Sequence, residues 1–88
     1  MLIVGQNKKY VCNLEKANGI SITDLGQYSR SSYSAEIVIR FNKENIVLGQ
    51  YENVERAIEI LEDLLKTYTN WKKNVPGLNN PIYRMPNK

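Results

Sequence analysis

The sequence predicts an α+β fold: a mostly antiparallel sheet of four or five strands, packed by one C-terminal amphipathic helix and followed by a short extended tail. Short alternating or apolar runs, separated by turn residues, fill the first 51 positions. One long run then carries apolar side chains at every third or fourth position, over 53–71. Three prolines break 75–88 into extended pieces. With 88 residues, 42% hydrophobic and 24% charged, the chain has the composition of one small domain spanning 1–88, with a correspondingly small core.

Residues 2–5 open as a short apolar strand, and the Gln-Asn-Lys-Lys run turns the chain. Residues 9–14 resume as a strand with Tyr10, Cys12 and Leu14 on one face and Val11 opposite. Asn18-Gly19 is a turn pair. Residues 20–25 then alternate, Ile20 and Ile22 against Ser21, Thr23 and Leu25, and Gly26 ends the run. Residues 27–34 (QYSRSSYS) read as a loop. AEIVIRF at 35–41 is a strand whose Ala35, Ile37, Ile39 and Phe41 face has no polar member and should meet the core. After a polar turn at 42–45, IVLGQY at 46–51 returns antiparallel to it.

Asn53 is a suitable cap for the helix. The apolar stripe runs through 54, 57, 58, 61, 64, 65, 68 and 71, with Ile60 beside it. Pro76-Gly77 prevents continuation. In the tail, 75–88, the segment IYRM is apolar enough to dock or to add a short edge strand. One helix covers one sheet face only. Val11, Leu25, Val38 and Val47 fall on strand faces left over, so either the sheet curls into a partial barrel or a second subunit covers it, and self-association as a homodimer or higher oligomer is expected.

Composition excludes several kinds of chemistry. There is no histidine and a single cysteine, which removes Cys/His zinc sites, histidine-based triads and an internal disulfide. Cys12, in an alternating segment, reads as a small buried hydrophobe. No GxxxxGK[ST], GxGxxG or SxxK occurs. Six of the nine acids lie between Glu44 and Asp63, most of them along one solvated helix face, which is not the paired arrangement that acid–base catalysis needs. No catalytic residue, metal site or cofactor is therefore predicted, and an enzyme is not expected. The apolar start is four residues long and precedes its lysines, unlike a signal peptide, and no run could span a membrane. The chain reads as cytoplasmic.

The charge is uneven. Residues 1–34 carry +2, residues 35–63 carry −4 and residues 64–88 carry +5. Such a pattern suits a partner that is not simply a polyanion, and it also suits head-to-tail or antiparallel self-association. The candidate binding residues are Tyr28, Arg30, Ser31, Ser32 and Tyr33 in the serine-rich loop, able to stack and to donate to an anion, with Lys72, Lys73 and Arg84. Basic groups interleaved with aromatic rings also occur in single-strand nucleic-acid binders, so nucleic acid is an alternative partner. An oligomer that sequesters a small anion is another.

The stretch IVLGQYENVERAIEILEDL, followed by IYRMP, is similar to a group of short proteins from Gram-positive bacteria and their phages and mobile elements. Members look like a few strands, an LGxY turn, an ERAxE-type helix and a closing YxMP. Here these features fall on Leu48, Gly49 and Tyr51; on Glu55, Arg56, Ala57 and Glu59; and on Tyr83, Met85 and Pro86. The opening MLIVGQNKKYVCNL is also similar. The resemblance implies a bacterial or phage origin and a small non-catalytic accessory protein that binds a protein partner, with inhibition of a host defence as one such role.

Overall fold

The computed structural model describes residues 1–26, 32–74 and 81–88. The elements are β1 (Leu2–Val4), β2 (Val11–Asn13), a 3-10 turn (Leu14–Lys16), β3 (Gly19–Asp24), β4 (Ala35–Phe41), β5 (Glu44–Tyr51), α1 (Val54–Asn74) and β6 (Ile82–Arg84). The α+β class is as the sequence predicts. The single sheet of four or five strands is not: the described strands form two sheets of three, ordered β2-β1-β6 and β3-β4-β5.

The division falls at Asn13. Its side-chain oxygen accepts from the Glu15 amide at 3.0 Å and starts the 3-10 turn, which takes the chain out of β2 before β3 begins. The second cause is the distant strand. β6 pairs parallel with β1, Ile3 opposite Tyr83, so β1 is already flanked on both sides. β6 lies within the IYRM segment and forms one edge of the smaller sheet.

The larger sheet is fully antiparallel, with Ile20 opposite Ile39, Ile22 opposite Ile37 and Tyr51 opposite Ala35. Between β4 and β5 the register shifts: Ile37 faces Gly49 and Val38 faces Val47, so Leu48 is the extra residue of a bulge and turns inward. Gly49 is required there. A Cβ on it would lie 2.5 Å from the Tyr51 hydroxyl oxygen and 2.7 Å from the ring. The opposite face of this sheet carries Ser21, Thr23, Glu36 and Arg40 beside Val38 and Val47, so it is largely polar and differs from the unfinished apolar face expected.

Both sheets and the helix share one core: Ile3, Cys12, Tyr83 and Met85 from the smaller sheet and the residue after it, Ile37, Ile39, Leu48 and Tyr51 from the larger, and Ala57, Ile60 and Leu64 from α1. Cys12 is buried and its thiol is pushed up by that burial, as a structural cysteine's should be. The helix is rotated from the expected stripe. Ile60 is 2% exposed and central, whereas Ile58 and Leu65 are 41% and 42% exposed. The chain end explains the rotation. Tyr83 donates its hydroxyl to Asp63 at 2.7 Å, and Arg56 donates to the Lys88 carbonyl oxygen at 2.8 and 3.0 Å. Arg56, Ile60 and Asp63 are spaced i, i+4, i+7, so this side of α1 has neighbours that a single sheet would not supply. Asn53 caps the helix as predicted, accepting from the Arg56 amide at 2.8 Å. Among the described residues no helix is long and apolar enough to cross a membrane.

Candidate functional site

A groove of about 690 Å³ lies at the N-terminal end of α1. One wall is the helix start, with Asn53, Glu55, Arg56 and Glu59. The others are Ser32 and Tyr33, the end of β5, and Asn87 with Lys88. Gln6 fastens these parts. Its amide nitrogen lies 2.9 Å from the Gln50 carbonyl oxygen, 3.2 Å from that of Pro86 and 2.8 Å from that of Asn87, and its side-chain oxygen accepts from the Gln50 amide at 2.8 Å. One side chain thus joins the β1–β2 turn, β5 and the chain end. Tyr51 is almost wholly buried beneath the groove and donates to the Pro86 carbonyl oxygen at 2.9 Å. Burial, opposed in part by the Arg56 charge, pushes its hydroxyl up to about 12, so it stays protonated at neutral pH.

The groove's carboxylates are Glu52, Glu55 and Glu59. Arg56 lies 3.6 Å from Glu59 and is otherwise engaged by Lys88. The lining therefore favours donors and cationic groups over anions. Ser34 donates its hydroxyl to the Glu52 carbonyl oxygen at 2.8 Å and helps hold the entry to the helix. Among the described residues no three His, Cys, Asp or Glu side chains gather as metal ligands would.

The residues singled out in the sequence fall in separate places. Tyr28, Arg30 and Ser31 lie outside the described residues. Ser32 and Tyr33 line the groove, where the Tyr33 hydroxyl accepts from the Gln50 side chain at 2.8 Å. Lys72 and Lys73 stand near the other end of α1, eighteen or more residues from its start and so roughly 27 Å away at the helical rise. Lys72 forms an ion pair with Glu15 at 3.1 Å and lies 4.9 Å from the centre of the Trp71 ring. The hydrogen bond to Glu15 raises its pKa. Arg84 is on β6, exposed on the outer face of the smaller sheet.

That outer face is a site the sequence reading did not assemble. The register places Leu2 between Ile82 and Asn13, and Val4 between Arg84 and Val11, while Ile3, Cys12 and Tyr83 point into the core. Ile82 and Val11 are 54% and 56% exposed. Lys8 and Lys9, exposed in the adjoining turn, share one end of the patch with Arg84. The available signal was the apolar character of both faces in Leu2-Ile3-Val4 and Tyr10-Val11-Cys12. It lacked the third strand that makes those faces one surface.

The chain matches no family model, no curated protein and no solved structure.

Proposed function

We propose that this chain is a small non-catalytic accessory protein, of the phage or mobile-element type its sequence resembles, that acts by binding another protein. The observation that carries the reading is the apolar quartet Leu2, Val4, Val11 and Ile82 on the outer face of the smaller sheet. Contiguous exposed apolar side chains with a polar rim favour a protein contact. The rim here is basic at one end, with Lys8, Lys9 and Arg84, so the partner presents apolar side chains bordered by carboxylates. Inhibition of a host defence protein fits the context that the resemblance supplies. Nucleic acid and small anions draw less support. Lys72 is paired with Glu15, and Arg84 sits on another element from it. The groove is bordered by three glutamates.

Capture from a Gram-positive lysate, identified by mass spectrometry, tests this when run beside the Val11→Asp/Ile82→Asp variant. A protein retained by the native chain and released by the variant, at a salt concentration that removes nucleic acid, is the expected result. Equal retention by both, or retention of oligonucleotides alone, would refute it.

A further inference from the structure

We propose that two copies of this chain pair through the free edge of β3, in antiparallel register about Ser21, with their helices side by side on one face of a continuous six-stranded sheet. The surface is independent of the smaller sheet's outer face, so the two proposals stand or fall separately.

β3 pairs only with β4 among the described strands. Exposed sheet edges are ordinarily protected by charge or proline, yet β3 carries no proline and a charge only at its last residue, Asp24. The orientation of its free groups follows from the ladder. The Leu25 amide donates to the Ser34 carbonyl oxygen at 2.9 Å, in register with the β3–β4 pairs. Hydrogen-bonded and non-hydrogen-bonded pairs alternate. Gly19, Ser21 and Thr23 therefore turn their backbone groups to β4, and Ile20 and Ile22 turn theirs outward.

The helix adds an apolar flank. Its Arg56 and Asp63 side is held by the chain end and β6, which leaves Val54, Ile58, Leu61 and Leu65 on the other flank of a helix that also packs on β3. Ile58 and Leu65 are the exposed members of that row, and on β3 Ile20 and Ile22 are half-buried against the core.

A second copy fits this surface better than an unrelated partner because the charges are self-complementary. Residues 54–63 of α1 carry a net −3 and residues 64–74 a net +3. A two-fold axis perpendicular to the sheet makes the two strands antiparallel and the two helices antiparallel as well. The acidic half of each helix then runs beside the basic half of the other. Directly opposed residues must share a sheet face, which limits the registers. Centring on Ser21 sets Ile20 against Ile22 of the partner subunit, apolar on apolar, and lets their outward groups hydrogen-bond. Centring on Ile22 would set Ile20 against an aspartate.

In this register the two Ser21 side chains face each other across a non-hydrogen-bonded pair, where Cα atoms are about 4.5 Å apart. Ser21 is exposed in the single chain, so substitution leaves the fold intact. Sedimentation of the native chain at high micromolar concentration is expected to give twice the 10.2 kDa chain mass. Ser21→Lys and Ser21→Glu are each expected to give 10.2 kDa with an unchanged circular-dichroism spectrum, and their mixture to restore the doubled mass. Ser21→Cys, exposed to oxidised glutathione, should form a covalent dimer, since about 4.5 Å lies within disulfide range and Cys12 is buried. A monomeric native chain, or a dimer that both charged variants leave intact, overturns the proposal. Should the charged variants not fold, failure of Ser21→Cys to cross-link overturns it.

Discussion

The β3-β4-β5 sheet is built from strands that follow one another in the chain, while the β2-β1-β6 sheet joins residues 2–4 to residues 82–84. The first needs only hairpin closures and carries one face of the helix. The second needs the whole chain to return on itself, at a cost in loop entropy that its own short strands cannot offset. Two-stranded hairpins are marginal alone. The smaller sheet therefore depends on β6, on the core residues Tyr83 and Met85, and on the Gln6 junction. The difference teaches that the chain end is structural and that its loss should be felt unequally.

Deleting residues 81–88 is the largest test of that inequality. It removes Tyr83 and Met85 from the core, about 1.5–3 kcal/mol each by burial, and the acceptors of Gln6, Tyr51 and Arg56. Hydrogen exchange should show protection lost first at Leu2–Val4 and Val11–Asn13, with Ala35–Phe41 holding longest. Uniform loss would merge the two sheets into one cooperative unit and end the comparison.

Next in size is the helix face that both sheets share. Leu64→Ala should cost about 3 kcal/mol, because Leu64 is fully buried where the elements meet. Leu65→Ala, one residue on and 42% exposed, should cost well under 1 kcal/mol in the same denaturant titration. Similar losses at both positions would mean that α1 is seated with Ile58 and Leu65 turned inward, on the middle of the stripe read from sequence, rather than rotated towards Ile60.

That contrast marks how far the sequence could be read. Strands β3 to β5 and the helix were legible because alternation and a three-four spacing are local signals, and each element follows its partner directly. The position of Ile60 was not legible, since it depends on β6 arriving from the far end of the chain. The 3-10 turn was carried by Asn13, a cap residue, but its effect on sheet division depends on what β1 pairs with instead. At the site, Ser32 and Tyr33, read from sequence as binding candidates in a serine-rich loop, line the groove. The glutamates bordering it looked like an ordinary solvated helix face, and the apolar quartet of the smaller sheet required a parallel pairing that no local pattern announces.

Alkaline titration separates the regions by a different route. Tyr51 of the larger sheet and Tyr83 of the smaller both have hydroxyls raised above the usual tyrosine range, chiefly by burial; for Tyr83, the Asp63 hydrogen bond adds to it. Each holds its proton more tightly folded than unfolded, so the unfolded chain loses protons first. Stability is therefore fully kept below about pH 10, the unfolded value, and falls as pH rises through about 12 for Tyr51. Thermal melts at pH 9 to 12 should show it, with the loss reduced in Tyr51→Phe. A melting temperature independent of pH across this range would mean that neither hydroxyl is held as described.

The last and subtlest test concerns a bond between β6 and the helix. The Tyr83 hydroxyl donates to Asp63 at 2.7 Å from a side chain that is itself mostly buried. Hydrogen bonds to a charged group contribute about 1.5–3 kcal/mol, and Asp63 remains exposed enough to recover much of that from water once the donor is gone. Tyr83→Phe keeps the ring in the core and should cost about 1 kcal/mol, a fall of roughly 4–8 °C in melting temperature for a domain of this size. Asp63→Asn in the same background separates the bond from the ring: if the bond tethers β6 to α1, the double variant costs less than the two single variants summed. Strict additivity would leave the smaller sheet held to the helix by apolar packing alone, and would shift the weight of the chain-end tether to Arg56 and the Lys88 carbonyl.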